Sequence, residues 1–180
     1  MLTLRVGLFA MGLCLAASAQ SVWAQRAGVI VGNGDDIDLV RFAVRFESAQ
    51  AKQTWYRPDY WQVAVGSWRV PNDSGSRGNV TEVSATPVFR GTRALGASLD
   101  AYAEAGIGIY LLSDTVSNSR TSLPTSFQFG SHVGAGLAFG EHRQFELGLG
   151  LQHLSNAGIK QPNGGINFVQ VFINWRLGNG

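Results

Sequence analysis

The chain has 180 residues with 14 basic and 12 acidic side chains, a formal charge of +2, and charged residues at only 14%. That length allows one domain with a proper interior, and so even a balance of charge, despite a pI near 9.0, argues against a nucleic-acid-binding surface. A single cysteine excludes an internal disulfide, while 23 glycines suit a β protein with closely packed backbones.

The first 24 residues read as a secretory leader. Residues 1–5 supply a positive charge, 6–17 are apolar, and small residues follow, with 17–19 and 22–24 both fitting a signal-peptidase site. An apolar run of about a dozen residues is too short to span a bilayer, which needs roughly 20. Cleavage before Gln25 removes Cys14, so the mature chain, 25–180, has no thiol nucleophile and no thiolate metal ligand. It also loses Arg5 and no acid, which brings the formal charge to +1.

From residue 27 the pattern predicts eight strands, at 27–32, 38–48, 60–70, 79–90, 99–112, 126–139, 145–155 and 167–177. Turn-rich segments separate them, and no helix-length run of 3.6 period appears. On the second strand Val40, Phe42, Val44 and Phe46 share one face, with Arg41, Arg45 and Glu47 on the other. The fifth sets Ala101, Ala103, Ala105, Ile107, Ile109 and Leu111 against a face holding Glu104 and glycines. The sixth sets Phe127, Phe129, Val133, Ala135, Leu137 and Phe139 against Gln128, His132 and glycines. The eighth sets Val169, Val171, Ile173, Trp175 and Leu177 against Gln170, Asn174 and Arg176.

A soluble barrel turns its apolar face inward, and a membrane barrel turns it out to lipid around a polar lumen. The second arrangement fits better. Gly and Ala crowd the less apolar face, as a narrow eight-stranded interior demands, and charges such as Glu104 and Arg176 sit there. Strands of ~10 residues or longer are expected throughout, which matches tilted transmembrane strands better than typical soluble ones. The expected fold is therefore all-β: an eight-stranded antiparallel transmembrane barrel in the outer membrane. An even strand number places both termini on the periplasmic side. The connections after strands one, three, five and seven then face outward. Trp61, Trp68 and Trp175 are candidates for the aromatic girdles, although the parity of Trp68 points inward. His132 is expected to fill the barrel and His142 to be solvated in a turn. Arg77, Arg120 and Lys160 fall near the outer loops, where they could meet phosphates.

The seventh strand holds the chemistry. Phe145, Leu147, Leu149 and Leu151 share a face that ends in His153 and Ser155, so a polar pair terminates an apolar stripe. Two steps along a strand separate their Cα atoms by ~6.6 Å. An imidazole leaning along the strand can then take the serine proton as the hydroxyl attacks a carbonyl. The spacing alone is a weak signal, and both side chains could simply meet lipid headgroups. No metal-ligand cluster, phosphate loop or nucleotide motif appears, and no cofactor is expected.

The run QHLSNAGIKQPNGGI at 152–166 resembles the signature of the lipid A 3-O-deacylases, outer-membrane enzymes of the PagL type. The segments PVFRG at 87–91 and AEAGIGIY at 103–110 resemble the same family's middle strands. The likeness is specific in the last half of the chain and rests on strand pattern in the first. It implies a serine esterase that hydrolyses the 3-O-linked acyl chain of lipid A in the outer leaflet. It further implies Ser155 as nucleophile, His153 as general base, and Asn156 with nearby backbone N–H groups as oxyanion stabiliser. The partners it implies are lipopolysaccharide and the membrane; a homodimer is a further expected partner state. The family places a glutamate fourteen residues after the histidine, and here that position holds Asn167. An asparagine carbonyl can orient the ring as in Cys-His-Asn proteases, but it offers no charge to an imidazolium.

Overall fold

In the computed structural model, residues 24–48, 56–71, 77–117 and 121–178 are described. The expected leader other than Ala24, most of the connection between residues 48 and 59, and Arg120 lie outside them. The strands are β1 (Arg26–Gly34), β2 (Ile37–Glu47), β3 (Tyr60–Pro71), β4 (Arg77–Gly96), β5 (Leu99–Leu112), β6 (Val116–Ser117), β7 (Ser122–Leu123), β8 (Phe127–Phe139), β9 (Phe145–Ser155) and β10 (Ile166–Arg176). Eight of them close an antiparallel barrel in the order β1-β10-β9-β8-β5-β4-β3-β2, and β6 pairs with β7 alone.

Each of the eight expected strands is present, two of them with the expected bounds. The largest departure is β4, which continues to Gly96 because β5 pairs with it down to Leu99. The β6–β7 hairpin lies inside what the sequence shows only as a polar loop. Two-residue strands carry no readable period.

The barrel is inside-out, as the alternation requires. Along β9, Leu149 and Leu151 are 63% and 58% exposed while Glu146 and Gln152 are 1% and 2% exposed. Exposed leucines in regular rows cost nothing against lipid, whereas buried charges need partners. Arg41 finds one: its Nε and Nη2 donate to Glu82 at 2.5 and 2.8 Å, and Trp68 Nε1 donates to the same carboxylate at 2.8 Å. Trp68 is thus a lumen residue and belongs to no girdle, as its parity indicated.

Not all of the lumen is polar. Its loop end is filled by an apolar layer that includes Leu39, Trp68, Val116, Leu123, Leu154, Ile166 and Phe168. The hairpin covers that mouth. Farther down, Tyr102 and Phe172 lie across the lumen, and glycines make room for them. A Cβ on Gly148 would stand 2.2 Å from Phe172 Cε2 and 2.8 Å from the Tyr102 hydroxyl. Gly148→Ala should therefore overpack this layer. The expected cost is about 1–2 kcal/mol, read as a lower urea midpoint of the refolded barrel.

Candidate active site

Strand β9 is locked in register by what lies behind it. Gln152 accepts from Arg41 Nη2 at 3.1 Å and from Gln170 at 2.7 Å, and donates to the Tyr110 hydroxyl at 2.6 Å. Leu154 is fully buried in the apolar layer. Because a one-residue slip would turn every side chain to the opposite face, these two anchors force His153 and Ser155 outward. His153 is exposed and Ser155 half-buried.

The outer wall is organised in rungs across three strands. Ser131, His153 and Asn167 stand abreast on β8, β9 and β10, and Val133, Leu151 and Val169 form the rung below. Together they line a groove of about 360 Å³. Below it, Ala135, Leu149 and Val171 continue the apolar surface.

Asn167 holds the imidazole. Its Oδ1 lies 2.8 Å from His153 Nδ1, and a carbonyl oxygen can only accept. Nδ1 therefore carries the proton, and Nε2 keeps a lone pair for a hydroxyl. The ring leans toward the loop. A Cβ on Gly165, which has φ +67, would lie 2.7 Å from His153 Cε1 and 3.3 Å from Nε2. Gly165 precedes Ile166, the cross-strand partner of Leu154, so Nε2 is turned toward the rung of Ser155 and away from Ser131. No hydrogen bond joins Ser155 Oγ to the ring among the described residues. Such contacts commonly tighten only around substrate.

The loop between β9 and β10 is built on Asn156. That side chain is 0% exposed. Its Nδ2 donates to the Lys160 carbonyl at 2.9 Å and its Oδ1 accepts from Gly158 N–H at 2.9 Å, while its backbone N–H donates to Asn163 Oδ1 at 3.2 Å. The Asn156 side-chain amide, expected as an oxyanion stabiliser, makes the first two of these hydrogen bonds inside the loop. The β7 region clamps the far end, with Thr121 Oγ1 donating to the Gly165 carbonyl and Gly164 N–H to the Ser122 carbonyl at 3.2 Å.

The remaining candidates fall apart from this cluster. Glu104 and Glu146 are buried among arginines, His132 is half-buried on the lumen side, and His142 is exposed in the turn before β9. Arg77 pairs with Asp38 at 2.7 Å, and Lys160 is exposed. Reasoning from sequence missed Ser131 and Gly165. Ser131 was visible as the one polar break in the apolar parity of β8. Gly165 carried no signal beyond being a glycine beside another.

The space at Gly165 yields a prediction. Gly165→Ala should push the imidazole off Asn167 and lower the rate severalfold to about tenfold. The barrel should still show heat-modifiable migration on gels. An unchanged rate would mean that the ring does not need this position.

Comparison with known proteins bears on the same region. Residues 39–176 match the family model described as Lipid A 3-O-deacylase (PagL). The lipid A deacylase PagL of Bordetella bronchiseptica is 33% identical over 173 residues, covering 92% of each chain. That of Pseudomonas aeruginosa is 34% identical over 113 residues, covering 63% of this chain and 61% of the relative. Among solved structures, the outer membrane enzyme PagL superposes with a TM-score of 0.69 at 27% identity, over 84% of this chain and 99% of that one. The barrel, its outward polar rung and a match of this extent have one consistent reading: the chain belongs to the lipid A 3-O-deacylase (PagL) family.

Proposed function

We propose that Ser155 is the nucleophile and His153 the general base with which this barrel cleaves the 3-O-linked acyl ester of lipid A. The coarser statement follows from family membership: the chain is a carboxylic ester hydrolase of the outer membrane that deacylates lipid A. One observation above all supports the finer one. The His153–Asn167 hydrogen bond fixes the tautomer whose free nitrogen faces the rung of Ser155.

The chemistry then runs in two halves. Ser155 Oγ attacks the acyl carbonyl while Nε2 takes its proton, giving a tetrahedral oxyanion and an imidazolium. Collapse breaks the ester bond, and the imidazolium protonates the departing sugar oxygen. Water repeats the sequence on the acyl-enzyme and releases the hydroxy acid. The apolar rungs below Ser131, His153 and Asn167 suit the acyl chain, which would lie along the wall in the hydrocarbon layer. Asn156 serves the oxyanion indirectly, by fixing the turn whose backbone N–H groups follow the nucleophile.

This reading places the barrel in the bilayer with its β9–β10 loop in the outer leaflet and its termini in the periplasm. The proposed leader cleavage before Gln25 would leave as first residue one that lies beside β1, where its nitrogen is 2.9 Å from the Arg45 carbonyl. His153, Ser155 and Asn167 all come from one chain, so a homodimer would add none of them. The test is lipid A from cells making the protein, compared by mass spectrometry with lipid A from cells carrying an empty vector. The expected result is loss of one hydroxyacyl group, and an unchanged mass overturns the assignment.

A further inference from the structure

At the end of the lumen where β1 starts and β10 ends, three arginines stand abreast. Arg26 on β1 lies opposite Arg176 on β10 and opposite Arg45 on β2. Like charges directly opposite in a sheet repel. Arg90 reaches the same layer, 2.6 Å from Glu146.

The carboxylates there are already occupied. Glu146 is approached by Arg26 at 3.4 Å, Arg45 at 2.8 Å and Arg90 at 2.6 Å. Glu104 is approached by Arg90 at 2.5 Å and Arg45 at 3.7 Å, and accepts from the Tyr60 hydroxyl at 2.8 Å. Glu47 takes Arg26 at 3.3 Å. Four guanidinium groups thus face three carboxylates, and Arg176 has no ion-pair partner among the described residues. Its Nε is buried without a hydrogen-bond partner, as are Arg26 Nη1 and the Tyr102 hydroxyl. All three residues line one cavity of about 500 Å³. Arg143, at its rim, is satisfied by Asp100 at 2.9 Å.

Arg176 as a whole is half-buried at the mouth, but its Nε is closed off from solvent, and a buried donor on a cation without a partner is costly. Water could serve the tyrosine hydroxyl, but it cannot neutralise an excess guanidinium. We propose that this mouth of the lumen is an anion site that holds a small oxyanion, a carboxylate or phosphate, between Arg176, Arg26 and the Tyr102 hydroxyl. A planar guanidinium fork suits either group. The site lies at the opposite end of the barrel from His153 and does not rest on the proposed catalytic roles.

The probe is inorganic phosphate, added to the full-length mature barrel in lipid-free detergent micelles, with chloride at matched ionic strength as control. Phosphate should raise the apparent unfolding midpoint saturably, by about 3–5 °C at ten times the half-saturating concentration. Arg176→Gln should abolish this dependence and raise the midpoint in chloride, because it relieves the repulsion with Arg26. Arg176→Lys should keep part of it. A second arm adds phosphatidylglycerol without free phosphate: a shift in that arm alone names a lipid headgroup as the source of the same chemistry. Absence of a shift in both arms, or a full phosphate response in Arg176→Gln, overturns the site.

Discussion

Ser155→Ala should abolish deacylation, lowering the rate by a factor on the order of 10⁴ or more, because no other step can replace attack by the missing oxygen. The readout is lipid A mass from cells making equal amounts of folded, heat-modifiable barrel. Ser155 is half-exposed on the lipid-facing side, where removing a hydroxyl disturbs no lumen contact, so assembly should be untouched. The competing nucleophile is Ser131, level with His153 on β8. The lean of the imidazole toward Gly165 decides between them, since it turns Nε2 from β8 toward the loop. Ser131→Ala should accordingly change the rate only a few fold, by altering the groove wall. Full activity in Ser155→Ala with loss in Ser131→Ala would transfer the role to the neighbouring strand.

The barrel was legible because its strands alternate and its glycines share one face. Those signals are local, and each survives unchanged into the structure: Leu147, Leu149 and Leu151 out, Glu146 and Gln152 in. His153 and Ser155 were legible for the same reason, as continuations of one parity. Asn167 was placed by resemblance, and the cross-strand register His153–Asn167 gives the physical reason for a separation of fourteen residues. What failed to show was anything made by the loops. Asn156 follows the strand directly, and its burial depends on where Lys160, Gly158 and Asn163 fold back. No periodicity encodes that. Likewise the Arg26–Arg176 opposition joins the first and last strands of the barrel, a contact only closure creates.

Asn167→Asp or Asn167→Glu should raise kcat by about ten- to a hundredfold with little change in KM. Asn167 already performs the geometric half of an orienting residue, since its Oδ1 sits 2.8 Å from Nδ1. It contributes no charge to the imidazolium that forms when Nε2 takes the serine proton. A carboxylate in its place would stabilise only that charged state, and interactions realised only in the transition state appear in kcat. Charge-assisted hydrogen bonds are roughly twice as strong as neutral ones, and the lipid-facing rim leaves little water to screen the gain. Asp keeps the chain length of Asn and so tests charge at constant geometry, while Glu restores the residue type of the family pattern. Asn167→Ala, which removes orientation as well, should fall below the wild type. If kcat stays level in both acidic variants yet drops in Asn167→Ala, orientation is all this position supplies. In that case His153 gains no full charge during the rate-limiting step, and general-base attack by Ser155 is not what limits turnover.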